Sequence, residues 1–177
     1  ARTAAAGAVM GGYAALSFDV ESAYLQTAWP ESAEVERHWI RLPQEVLRCM
    51  PKASQTAADA LAAPYFPLRN ALYGHPRSAA LFIVHLTALI RAQGWAPQEV
   101  DPALFRHADE VQKAFCMQPL LRTLPTSLVA TYVDDVILTG PRTHQLISQL
   151  RKQLVFDAPT EVASFLGTHF QRGEHGK

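Results

Sequence analysis

Leu128-Val-Ala-Thr-Tyr-Val-Asp-Asp-Val-Ile-Leu-Thr-Gly140 decides how this chain is read. An apolar, β-branched run enters, Asp134 and Asp135 interrupt it, and a second apolar run leaves toward Gly140-Pro141. Each half has the length and β-branched content of a buried strand. Two adjacent acids inside such a segment would be costly to bury without partners. A hairpin with the acids at its turn avoids that cost, because Asp suits turns. The turn would project both carboxylates from the end of a rigid sheet. Carboxylates held side by side repel one another and attract a hard divalent cation, and Mg²⁺ is commonly held by one or two carboxylates plus substrate phosphates. An isolated Asp-Asp pair is most simply a polar turn. Here the flanks are the least polar part of the chain and a second acid in a similar setting lies upstream, which favours a functional site.

That upstream acid is Asp19, near the end of a strand expected over Tyr13–Val20. Glu21–Gln26 reads as a short helical or turn segment, with Tyr24 by default a core aromatic. Ala28–His38 reads as a loop. Trp39–Leu42 is a short strand that Pro43 ends. Gln44–Met50 suits a helical turn, and Pro51–Ala63 an exposed, Ala-rich helix. Tyr65–Gly74 is extended and turns at Gly74-His75-Pro76. A long helix follows, with Pro76 in or just before its first turn and Ser78 a candidate cap. Its body, Ala79–Gln93, is apolar nearly all round, which predicts a buried helix. Gly94 is its expected stop, and His85 reads as a core histidine.

Trp95–Pro102 reads as a connection and Ala103–His107 as a strand. Ala108–Glu110 reads as a turn, Val111–Met117 as a return strand, and Gln118–Ser127 as a Pro-broken loop. After the hairpin, Pro141–Leu154 predicts a helix with Thr143 as candidate cap and Leu146, Ile147, Leu150 and Leu154 on one face. Val162–Phe170 reads as one strand. This order predicts an α+β fold, an antiparallel sheet covered by helices on one side. If the strands bearing Asp19 and Asp134-Asp135 are neighbours, three carboxylates meet at one sheet edge. Two metal ions ~4 Å apart, held there, would clamp the attacking and leaving oxygens of an in-line phosphoryl displacement.

The bulk numbers narrow the classes. The chain has 177 residues, enough for one domain with a real core. It is 49% hydrophobic and 18% charged, which is globular composition. A formal net charge of zero counts against an autonomous, tight nucleic-acid binder, though not against a catalytic portion of a larger one. Cys49 and Cys116 form no Cys-x-x-Cys pair, so neither a disulfide framework nor a zinc site is suggested, and a reducing, intracellular setting fits. The most apolar long run, Ser78–Ile90, is too short to span a bilayer. The chain starts at Ala1 and reads as an excerpt of a longer protein. The segment Ala1–Gly12 has no clear cleavage pattern and does not read as a signal peptide.

Taken together, several segments resemble a reverse transcriptase of the copia-type LTR retrotransposon branch. Tyr132-Val-Asp-Asp135 is similar to that family's Tyr-x-Asp-Asp box, and Phe18-Asp-Val-Glu-Ser-Ala-Tyr-Leu-Gln26 to its first palm box. Trp39-Ile-Arg-Leu-Pro43 matches the small strand that follows. Leu68-Arg-Asn-Ala-Leu-Tyr-Gly-His-Pro-Arg-Ser78 is similar to the Leu-Tyr-Gly box that opens the helix under template and incoming nucleotide. Gly94-Trp95, Asp101-Pro102, Leu104-Phe105 and Phe165-Leu-Gly167 add to the set, which spans Ser17 to Phe170. Tyr-x-Asp-Asp alone is weak; in this order and company the set is specific.

The resemblance implies a palm-like antiparallel sheet packed on helices over 17–177, with 1–16 a partial fingers segment. It implies RNA-directed DNA polymerase activity, using deoxynucleotide triphosphates, an RNA or DNA template-primer and two Mg²⁺ ions, for which Mn²⁺ could substitute. By match, Asp19, Asp134 and Asp135 are the catalytic metal ligands. Tyr24 falls at the gate that rejects a ribose 2′-OH. Tyr73, Gly74, Arg77 and Tyr132 fall along the substrate path, and Arg69 is a candidate phosphate contact. Implied partners are the rest of a Pol polyprotein, with integrase and RNase H, and the implied location is a cytoplasmic particle or the nucleus, with no membrane association. Pro76-Arg77 stands where the family often has Gln, and the stretch before Ser17 is too short for basic finger strands. Those departures also fit a truncated or decayed remnant that folds without catalysis. A nucleotidyl cyclase shares the acidic hairpin, but the Leu-Tyr-Gly box and Tyr24 speak against it.

Overall fold

Alternation builds the sheet. Along Ala15–Asp19 (β1), Leu128–Tyr132 (β6) and Asp135–Thr139 (β7), successive side chains point to opposite faces. Phe18, Val129, Val136 and Leu138 point to one face, where they pack in the main core. Ala15, Ala130 and Ile137 belong to a second, smaller core cluster on the other face. The computed structural model describes residues 13–31, 37–61, 64–110, 127–165 and 168–169.

Trp95–Pro97 (β4), Leu104–His107 (β5) and Thr160–Glu161 (β8) complete a six-stranded sheet in the order β4-β5-β6-β7-β1-β8. Every strand pair in it is antiparallel. Trp39–Arg41 (β2) and Tyr65–Pro67 (β3) form a separate two-stranded ribbon, and Ser164–Phe165 (β9) pairs with Thr168–His169 (β10). Helices span Gln44–Leu47 (α1), Lys52–Asp59 (α2), Ser78–Ala92 (α3) and Thr143–Leu150 (α4). Phe82, Leu86, Leu89 and Ile90 of α3, with Leu146, Ile147 and Leu150 of α4, cover one sheet face through the main core. Each large apolar side chain so buried contributes about 1.5–3 kcal/mol. The fold is thus mixed α+β, with α3 and α4 on the same face of the sheet, as the element order predicts.

Several sequence expectations are corrected. α3 is not buried all round: Ile83 is 46% and Val84 68% exposed. A helix in contact with one sheet face buries only the stripe that touches it. Neither candidate cap caps. The Ser78 hydroxyl turns back to donate to the Leu72 carbonyl, at 2.7 Å, and to accept the Leu72 N–H. Thr143 Oγ1 is buried without a partner. Trp95–Pro97, read as a connection, is an edge strand, where a proline is tolerated because one side of the strand needs no N–H donor. Val162–Phe170 is not one strand, since Phe165 pairs back on Thr168. Gly94, at φ +81°, ends α3 as expected. The expected segment 1–12 and return strand 111–117 lie outside the described residues, and both edges of β5 are occupied by β4 and β6.

Candidate functional site

The central hairpin closes with a two-residue loop, Val133-Asp134, between paired Tyr132 and Asp135. Val133 carries φ +56°, a left-handed conformation that costs a β-branched residue on the order of 1–3 kcal/mol. β1 lies on the other side of β7, and the register sets Asp19 directly opposite Asp135. Val20 N–H donates to the Asp134 carbonyl at 3.1 Å, so the ladder bonds flank Asp19 and Asp135 rather than join them. That is the narrow kind of antiparallel pair, in which Cα atoms approach to about 4.5 Å and side chains are closest. The two carboxylates leave the same face, with Asp134 in the adjoining turn.

The chemistry of the three acids follows from this crowding. Asp19 and Asp135 are both pushed above the usual carboxylate range. Partial burial is the first cause at each. At Asp19 the charges of Asp134, Asp135 and Asp157 come next, against a lowering contribution from the Val20 N–H. At Asp135 the charge of Asp134 comes second. Asp157 was not singled out in the sequence. Its N–H donates to the Asp19 carbonyl at 3.1 Å, because Phe156 bridges to Val20 and stacks on Phe18 with ring centroids 4.1 Å apart. No motif marks Asp157; only the pairing of its backbone with β1 brings it there.

Four acids of this kind are hard oxygen donors, and their mutual repulsion is what a divalent cation relieves, so the donor set suits Mg²⁺ in kind. Among the described residues, no three His, Cys, Asp or Glu side chains are gathered as a finished ligand shell. The backbone brings Asp19 and Asp135 together; closing a shell around an ion would fall to their side-chain torsions.

The aromatic residues form a second group. Tyr24 sits in a 3₁₀ turn, Ala23–Gln26, and its ring lies 4.6 Å from that of Tyr73 and 6.3 Å, edge-on, from Phe82. It is therefore half-buried between core and surface, neither a plain core residue nor free. Gln26 ties this turn to the acid-bearing segment: its amide donates to the Val155 carbonyl and accepts the Val155 N–H, both at 2.8 Å. Gly74 has φ +84°, and Tyr73 is half-exposed beside it. Tyr132 is 56% exposed across the ladder from Asp135. Arg77 lies with its guanidinium 6.0 Å over the Trp29 ring. Arg69 is held at 2.8 Å by Glu31, both side chains largely exposed, so it is a surface ion pair rather than a free phosphate contact. The site residues thus fall into an acid group with Tyr132, and a Tyr24-Tyr73 group linked to it by Gln26 and the 155–157 segment.

His85, expected in the core, is half-buried, and burial holds its imidazole below its usual range. Cys49 is exposed and free. No helix among the described residues is long and apolar enough to cross a membrane. A scan of protein-family models and a search of curated proteins each return no match to the chain.

Proposed function

We propose that the chain is the palm of an RNA-directed DNA polymerase, a reverse transcriptase of the copia-type retrotransposon kind, working within a larger polyprotein. The observation that carries this reading is the register pair Asp19–Asp135 with Asp134 in the adjoining turn. Residues 116 apart in sequence meet as cross-strand neighbours at one end of a rigid sheet. The sheet-end placement and the exposed Tyr132 leave the carboxylates open to a ligand of the size of a primer terminus.

Asp19, Asp134 and Asp135 would hold two Mg²⁺ ions, or Mn²⁺ in their place. When bound, these would neutralise the triphosphate and activate the primer hydroxyl. The protein's own residues position the reactants, which is most of what phosphoryl transfer asks of them. The Tyr24 ring, braced by Tyr73 and Phe82, offers a flat surface for the sugar and a steric limit against a 2′-OH. Gln26 keeps that ring in register with the acids. Arg77 and Tyr73 line the approach of nucleotide and template.

The test is primer extension on an RNA template by the polyprotein containing this chain. Asp134→Asn is expected to lower the rate at least about a hundredfold, the scale on which losing a preorganised charged group acts. Extension at the unaltered rate would end this reading. A well-folded wild-type protein that extends nothing would leave the second one, a folded remnant without catalysis.

A further inference from the structure

We propose that the outward face of the β2–β3 ribbon, Trp39, Arg41 and Tyr65, is a stacking surface for single-stranded polynucleotide on its way to the carboxylates. The register pairs Trp39 with Pro67 and Arg41 with Tyr65, so these four side chains share one face while Ile40 and Phe66 take the other. Trp39 is 54% and Tyr65 56% exposed, and Arg41 and Pro67 are exposed beside them. As diagonal neighbours, Trp39 and Tyr65 stand about 7–8 Å apart at the backbone. A single exposed aromatic is ordinary; two on one face with a cation between them is a patch with a use.

Arg41 makes no ion pair with any described residue. It also lines a cleft of ≈ 370 Å³ with Gln44, Leu47, Asp59 and Leu61. Positive charge is in excess along this stretch of the sequence. Residues 37–77 hold Arg37, Arg41, Arg48, Lys52, Arg69 and Arg77 against Glu45 and Asp59. That is an excess of four positive charges in a chain whose net formal charge is zero. Within that set Arg69 is already paired with Glu31, so the charge that shares a face with the two rings is that of Arg41. Cations interleaved with exposed rings are what a nucleic-acid strand uses: phosphates meet the cations, and every base has a face to stack, whatever its identity. An apolar protein segment would use the rings and leave Arg41 desolvated without a partner.

The ribbon is continuous with the site. After β3, Leu68 N–H donates to the His38 carbonyl, Trp29 N–H to that of Arg69, and Ala71 N–H to that of Thr27. The chain then reaches Tyr73, whose ring lies tilted against that of Tyr24 at 4.6 Å. The proposal rests on the polymerase reading for the identity of the strand, a template, and on the ribbon alone for the binding.

The experiment measures anisotropy of a labelled oligothymidine titrated with the chain at several salt concentrations. Trp39→Ala combined with Tyr65→Ala is expected to weaken binding at least about tenfold. Arg41→Gln should reduce the slope of log affinity against log salt by about 0.7. Val100→Ser, at a 99% exposed position elsewhere, should bind as wild type and reports that surface changes alone do nothing. Melting curves confirm that the variants fold, as substitution of exposed side chains should allow. A wild-type chain that binds no oligonucleotide, or a double variant that binds it undiminished, overturns the proposal. So does a double variant that loses only self-association, which would make the face a contact between copies. Primer extension is scored separately. Binding that depends on Trp39 and Tyr65 without any extension removes the template and keeps a single-strand site; extension with ribbon-independent binding overturns this face alone.

Discussion

The two ends of the central hairpin solve the same backbone problem in opposite ways. Gly140, just beyond β7, has φ +104°, and a Cβ there would stand 2.5 Å from Ser127 Cα. Around it Ser127, Glu110 and Arg142 satisfy one another, while the Thr139 and Thr143 hydroxyls stay buried without a partner. Glu110 accepts the Ser127 N–H at 2.6 Å and its hydroxyl proton at 2.9 Å, and Ser127 Oγ accepts the Arg142 N–H at 3.1 Å. Arg142 reaches on to Asp109 at 3.1 Å. At the other end, Val133 takes a positive φ that glycine would adopt freely, and the carboxylates beside it have one another for company. One end is built for stability. The other gives stability up, and strain with unrelieved charge is what a ligand site is expected to hold.

That contrast can be broken from either side. The largest effect belongs to Gly140→Ala, which meets Ser127 backbone and a forbidden φ together. Chemical denaturation should show a loss of about 3 kcal/mol or more. Glu110→Ala comes next, at about 2–3 kcal/mol, because it strands two donors of the fully buried Ser127. Val133→Gly should do the reverse and stabilise by about 1 kcal/mol, relieved strain outweighing the entropy glycine costs. If it destabilises instead, the turn is not strained and the contrast fails.

The smallest effects are electrostatic. Without divalent cations at neutral pH, Asp19→Asn should raise the Tm by no more than about 2–4 °C, the shift produced by ~1 kcal/mol in a domain of this size. Asp19 is itself exposed, and solvent screening keeps the effect at that level. Added Mg²⁺ should raise the Tm of the wild type and leave that of Asp19→Asn nearly unmoved. The pH dependence has a defined sign. Asp19 and Asp135 hold their protons to higher pH when folded than the ordinary value of 3.8. Their contribution to stability is then fully present below 3.8 and is lost as the pH rises through the raised folded values. Melting curves across that range should flatten in Asp19→Asn. A wild type that instead gains stability over that window through these groups would contradict the crowding of the acids.

Much of this was legible in the residues themselves. The Asp134-Asp135 interruption of an apolar run marks both the hairpin and its turn, because burying those charges in mid-strand would cost more than any packing returns. Leu146, Ile147 and Leu150 announce the buried face of α4 by spacing alone, while Leu154, expected on the same helix, is buried beyond its end. Less was legible where partners are distant. Trp95–Pro97 is a strand only because Leu104–His107 offers it an edge. Ser78 has the residue type of a cap, yet its hydroxyl has a better partner in Leu72. Ile83 and Val84 look like core until the sheet is seen to touch only the opposite stripe of the helix.

The sequence by itself determined which segments are strands and helices over most of the chain, and which residues are capable of holding a cation, since periodicity and side-chain chemistry are local properties. The tertiary structure alone decided that Asp19 faces Asp135 and that Asp157 joins them. It also set Trp39, Arg41 and Tyr65 on one open face. The physical reason is that strand register is a relation between segments far apart in the chain, chosen by how the two sheet faces bury their apolar side chains, and no single segment carries it.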